Sequence, residues 1–222
     1  MLSRFALPKS NYRVLRAFSA SKEITDFVGF KKRNFIPTLE YTEIFNAVLG
    51  ADSVNDIANF LRTADGCFDD KMLSFSWKRV RQGNFQLDEA FKTKYIPLTI
   101  QYIRTMKRDN VDAFTDILIS AGQLGVQDAE FWRAIKEVLV VQRMYRYMSL
   151  HSIGDAIKSF AIVGQADATL LKLLGDVVIK HKRHIPEQTK TTAKQGFQIA
   201  EIGFNEFKKA LEEDEVNELV IV

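Results

Sequence analysis

Cysteine is nearly missing from this 222-residue chain. Its one cysteine, Cys67, excludes an internal disulfide and a cysteine-rich zinc site. Three histidines leave little material for a metal centre or a Ser-His-Asp set. With only 4 prolines and 11 glycines, long irregular segments are not expected. No window approaches the roughly eighteen consecutive apolar residues of a membrane-spanning helix, and aliphatic runs stay as short as Val138 to Val141. Membrane contact is therefore expected only through partners. There is no glycine-rich phosphate loop, because Gly122-x-x-Gly125 lacks a third glycine, a lysine and a preceding strand. Two-residue alternation is almost absent, and only the tail Leu219-Val220-Ile221-Val222 reads as strand-like.

Acidic residues are absent from the first twenty-two positions, while Arg4, Lys9, Arg13, Arg16 and Lys22 precede the first acid, Glu23. Lys9, Arg13 and Arg16 share one helical stripe, and Val14, Leu15 and Phe18 lie opposite. Such a start has the composition of a mitochondrial transit peptide. A negative-inside potential draws it inward at about 2.3 kcal/mol per charge per 100 mV. Arg16-Ala17-Phe18 before Ser19-Ala20-Ser21 fits matrix-protease cleavage after Phe18. Residues 1–18 are thus expected to be a transit peptide or retained N-terminal arm, and 19–37 a linker. The chain has 31 basic and 28 acidic residues, and without the four bases of 1–18 it would have 27 against 28. A protein that grips phosphates usually carries a basic excess.

Beyond the leader, apolar residues recur at helical spacing. The pattern predicts helices over 38–49, 53–64, 69–82, 86–106, 110–122, 129–146, 151–163, 168–182, 187–202 and 205–218. Pro97 should kink or split the fourth. Gly125, Gly164 and Gly203 are 39 residues apart, and Asp128, Asp167 and Glu206 follow each by three. Each copy reads as a helix, a glycine C-cap, an acidic cap and a second helix. Gly50 with Asp52 is a weaker early copy, and 86–91 a degenerate one. The expected fold is all-α: stacked antiparallel helical hairpins, a short α-solenoid with a period of about 39 residues, over 38–218. Residues 219–222 form a C-terminal tail.

The turn "apolar-Ala-x-apolar-Gly-apolar-x-acid", carried by Ala121 to Asp128, Phe160 to Asp167 and Ile199 to Glu206, resembles organellar α-helical repeat proteins. These are the FAST-kinase-like, heptatricopeptide and octotricopeptide groups. The resemblance covers 110–218 best. It implies binding of organellar RNA or membership of a mitochondrial assembly. The acidic run Glu212-Glu213-Asp214-Glu215 does not match the RNA-associated C-terminal domain of some of those relatives.

Four basic clusters could serve a partner: Lys31-Lys32-Arg33, Lys78-Arg79-x-Arg81, Arg143-x-x-Arg146 and Lys180 to Arg183. Aligned helix ends could join Arg143, Arg146, Lys180, Lys182 and Arg183 into one strip, with Tyr145 and Tyr147 able to stack on bases. The alternative is solvated helix ends that complement backbone carbonyls. His181 and His184 flank two cations, a poor setting for a metal. Asp69-Asp70 and Asp88-Glu89 are sequence neighbours that point apart on a helix. Trp77 and Trp132 read as core or interface anchors. No catalytic, cofactor or metal set emerges. The expectation is a non-catalytic accessory subunit of a mitochondrial complex, with an oxidative-phosphorylation assembly (respiratory chain or ATP synthase) first. An organellar RNA-binding factor or a mitochondrial ribosome subunit comes second.

Overall fold

In the computed structural model, residues 39–63, 69–83 and 85–217 are described, with side chains over 41–62, 69–83 and 85–213. The leader 1–18, the arm 19–37 with Lys31, Lys32 and Arg33, Cys67, and the tail 219–222 lie outside them. Among the described residues the chain is all-helical. The helices are α1 (Leu39–Leu49), α2 (Val54–Thr63), α3 (Asp70–Gln82), α4 (Ile96–Thr105), α5 (Val111–Gln123), α6 (Ala129–Lys136), α7 (Leu150–Ile162), α8 (Ala168–Lys180), α9 (Glu187–Ala200) and α10 (Phe204–Asn217).

Short polar side chains start half of them. The first amides of a helix have no partner within it, and a carboxylate or hydroxyl ahead of them supplies one. Asp69 accepts from the Met72 amide at 2.8 Å, Asp128 from Phe131 at 2.7 Å, Ser149 from Ser152 at 3.1 Å and Asp167 from Leu170 at 2.9 Å. At α2 the acceptor is Ser53, bonded to the Asp56 amide at 3.1 Å.

Two helices depart from the expected bounds. The stretch expected over 86–106 is one continuous helical segment, neither split nor separated at Pro97. A wide π turn, Phe91–Tyr95, runs directly into α4, and the Ile96 amide donates to the Phe91 carbonyl. Pro97 has no amide to give the preceding turn, and the wide turn sits just ahead of it. The helix expected over 129–146 stops earlier. α6 passes into a second π turn, Glu137–Val141, and Arg143 then adopts a left-handed conformation at φ 59°. Residues Met144–Arg146 form a separate 3-10 turn.

The glycine turns repeat bond for bond in two places. After α5, the Gly125 amide donates to the Gly122 carbonyl and the Val126 amide to the Ala121 carbonyl, both at 3.1 Å. After α7, Gly164 donates to Ala161 at 3.1 Å and Gln165 to Phe160 at 2.9 Å. This double bond pattern requires left-handed glycine, and φ is +66° at Gly125 and +68° at Gly164. The third copy differs. Gly203 also has positive φ (+63°), but Glu201 is left-handed as well and α10 starts at Phe204. Glu206 therefore lies inside the first turn of α10 and is not its cap. Gly50 is not left-handed, so the early copy shares the helix break but not its geometry.

Contacts join every second helix. Asn110, entering α5, donates to Asp70 of α3; farther along, Lys78 pairs with Asp116 at 2.7 Å and Arg81 donates to Gln123 at 3.1 Å. Between α7 and α9, His151 meets Thr189 at 3.4 Å, and Lys158 donates to Gln195 at 2.8 Å. Both pairs of helices thus run in the same direction. Small residues allow the approach. A Cβ on Gly122 of α5 would lie 2.3 Å from the Ser159 Cβ of α7, and one on Gly196 of α9 would lie 2.7 Å from Ile157.

Phenylalanine-rich packing fills the space between. Trp77 lies 5.2 Å from Tyr95, 5.4 Å from Phe131 and 5.7 Å from Phe91. Phe131 meets Trp132 edge-on at 5.3 Å, and Trp132 meets Phe160 at 5.1 Å. Both tryptophans are fully buried. Each large ring buried this way contributes about 1.5–3 kcal/mol by area, with geometry adding to it.

Candidate functional site

The acidic pairs are structural. Asp69 caps α3 and also accepts from the Tyr41 hydroxyl at 3.3 Å. Asp70 receives Asn110. Burial, then the charge of Asp69, raises the Asp70 carboxyl above its usual range, with Asn110 opposing. Burial and Asp69 likewise push the Tyr41 phenol up. Asp88 accepts from the Phe91 amide at 3.0 Å and so starts the fourth helical segment.

Buried polar groups form a closed set between α3 and the segment ahead of α4. Ser76 Oγ donates to the Leu73 carbonyl at 2.7 Å, which leaves the Tyr95 hydroxyl as donor to Ser76 at 2.7 Å. Trp77 Nε1 donates to Thr99 at 3.1 Å, and Thr99 donates to the Tyr95 carbonyl at 2.9 Å. These groups fix packing and leave nothing for a substrate.

The histidines do not gather. His181 closes α8, and His184 follows in the 3-10 turn Lys182–His184, with its amide bonded to the His181 carbonyl at 2.9 Å. No group of three or more metal-binding side chains occurs among the described residues. On the surface of α10, Asn205, Lys208, Lys209, Glu212 and Glu213 line a shallow depression that opens widely to solvent.

Of the basic clusters, Lys78-Arg79-x-Arg81 is used internally. Lys78 pairs with Asp116, and Arg79 donates to the carbonyls of Leu49 (3.1 Å) and Ala51 (3.2 Å) beyond α1 while lying over the Phe85 ring. The other two described clusters occupy a single end of the molecule. Arg143 and Arg146 are exposed in the loop that enters α7. Lys180, Lys182 and Arg183 occupy the connection that enters α9, whose first turn meets that of α7 through His151 and Thr189. Lys182 is tied down, donating to the Ala210 carbonyl at 2.6 Å. Arg146 lies over the Tyr145 ring at 5.9 Å.

Sequence reasoning passed over Lys107 and Arg108, exposed in the loop that enters α5. Arg108 lies beside the Tyr147 hydroxyl, which links this loop to the next. A signal was present: Lys107, Arg143 and Lys180 recur at nearly the glycine period. The opposite end holds Gly125, Gly164 and Gly203 with Asp128, Asp167 and Glu206, alongside bases: Lys136 pairs with Asp167, Arg104 and Arg133 pair with Glu130, and Arg81 donates to Gln123. Asp167 is held below the usual carboxylate range, mainly by the Leu170 amide; burial opposes this, and Lys136 at 3.0 Å adds to it.

No protein-family model matches this chain, and no curated protein matches it. What the site can do follows from its own geometry.

Proposed function

We propose that this chain is a non-catalytic scaffold subunit of a mitochondrial multiprotein complex, with an oxidative-phosphorylation assembly as first choice. Its helices are read as stacked antiparallel hairpins, a short α-solenoid. The observation that carries the reading is the offset between touching helices. Links from α3 to α5 span 38 to 42 residues, and those from α7 to α9 span 37 and 38. These offsets match the glycine repeat. An array built this way buries one unit against the next and leaves long faces for partners. The tryptophans, acidic pairs and internal arginines all serve packing or capping, which suits a rigid support. The organelle is inferred from the basic, acid-free first twenty-two residues.

Two measurements test this. Full-length chain is expected to enter isolated mitochondria only when the membrane potential is intact. On native gels of solubilised mitochondria it should migrate with a respiratory or ATP-synthase complex. Potential-independent retention outside the organelle would refute the address, and migration as a free 25.4 kDa protein would refute the subunit role.

A second reading, an organellar RNA-binding factor or mitochondrial ribosome subunit, is favoured by Tyr145 and Tyr147 beside Arg143 and Arg146. Loss of all partners after RNase treatment would select it.

A further inference from the structure

Five large hydrophobic side chains stand out as exposed among the described residues, and three lie on the basic end: Val140 (36% exposed), Val141 (75%) and Tyr147 (49%). Val140 and Val141 close the π turn after α6, and Tyr147 follows four residues after Arg143. The turn at Arg143 brings this apolar tip to its position. A left-handed arginine costs about 1–2 kcal/mol relative to an ordinary conformation, so the fold holds the tip out against a local preference.

Cations flank the tip on both sides. Arg108 reaches Tyr147 from the loop entering α5. Arg143 and Arg146 follow the valines in the chain, and Lys180 ends α8 just before the next connection, which enters α9. Acids share this end: Asp109 and Asp112 at the first loop, with Asp70 receiving Asn110 there, Glu137 in the π turn, Asp155 paired with His151 at 3.4 Å, and Glu187 paired with Lys190 at 3.3 Å, so the uncompensated charge is centred on Arg143 and Arg146.

We infer that this end is a membrane-docking edge, on which Val140, Val141 and Tyr147 enter the interfacial layer of an anionic bilayer while the surrounding arginines and lysines contact lipid phosphates. The combination argues for lipid over RNA. A phosphate chain needs the cations and could use Tyr147, but gains nothing from a valine three-quarters exposed. An anionic interface uses both, since aliphatic and tyrosine side chains partition there and each nearby cation adds attraction. No helix among the described residues is long and apolar enough to cross a membrane, so the contact is peripheral. The edge goes beyond the scaffold role and revises the expectation that membranes are met only through partners.

The basic first twenty-two residues would also attract anionic vesicles, so the test must report on the edge itself. Both native tryptophans are fully buried. In full-length Val141→Trp, the added indole is therefore a local probe. With vesicles of equal parts phosphatidylcholine and phosphatidylglycerol, its emission should shift to the blue and be quenched by brominated acyl chains. Pure phosphatidylcholine vesicles should leave it unchanged. Adding Arg143→Gly and Arg146→Gln should weaken this response roughly thirtyfold at low salt. Vesicle-bound protein whose added indole stays unshifted would overturn the proposal, as would a probe that answers poly(U) and not vesicles. Neither result touches the native-gel test, so failure of the edge and failure of the scaffold reading remain separable.

Discussion

At the residue scale, two glycines of one turn have opposite reasons to be glycine. Gly125 and Gly164 have open space where a Cβ would go, and only φ constrains them. Gly122 has an ordinary helical backbone but presses on Ser159. Gly164→Val should lower stability by about 1–3 kcal/mol through conformation alone. Gly122→Ala should lower it by about 1–3 kcal/mol through overpacking. Urea unfolding of double variants separates the causes: Ser159→Gly should partly rescue Gly122→Ala and leave the Gly164→Val loss untouched. Additive losses at both sites would refute the packing account. The carboxylates differ in a similar way. Asp167 has a lowered folded pKa, so its contribution is present above the unfolded value and is lost as pH falls through the folded one. Asp167→Ala should cost about 1 kcal/mol near neutral pH and less in acid. Asp155 is raised by burial, against the pull of His151 and Lys158. Its protonated form is favoured on folding, so stability declines as pH rises from the usual carboxyl range through the raised value. Asp155→Asn should flatten that decline and stabilise by up to about 1 kcal/mol around pH 8. Parallel pH curves for variant and parent would refute it.

At the element scale, the ends of the helices decide more than their middles. Most caps and glycine turns could be read directly, because a short polar residue or glycine ahead of an apolar stripe has a local cause. The π turns could not. One sits just ahead of Pro97, which gives no amide to the preceding turn, and the other carries the buried Val138 and Leu139. The early stop at Val141 is likewise a tertiary decision, since nothing at Gln142 or Arg143 forbids another helical turn. Arg143→Gly should therefore stabilise the protein by up to about 1 kcal/mol while removing a charge from the edge. A loss of stability in thermal unfolding would show that the arginine side chain supports the loop.

For the molecule as a whole, contacts between successive parallel helices make protection uneven. Hydrogen exchange should be slowest in α5, α6 and α7, where Phe114, Phe131, Trp132 and Phe160 are fully buried. It should be fastest in α10, whose first turn lacks a side-chain cap and whose buried anchors are Phe207 and Leu211. Uniform protection would mean that the chain opens as one cooperative body. The placement of the exposed bases belongs to this scale as well. In sequence, Lys107, Arg143 and Lys180 are separated by whole helices, and only their common place ahead of parallel, odd-numbered helices puts them at one end.

The sequence alone settled the all-α class, most helix starts and the left-handed glycines, because spacing and caps act over a few residues. The close approach at Gly122 and Gly196, the internal use of Arg79, and the outward turn at Arg143 were decided by tertiary structure. Each depends on which surface lies opposite, and that is set by packing between residues some forty positions apart.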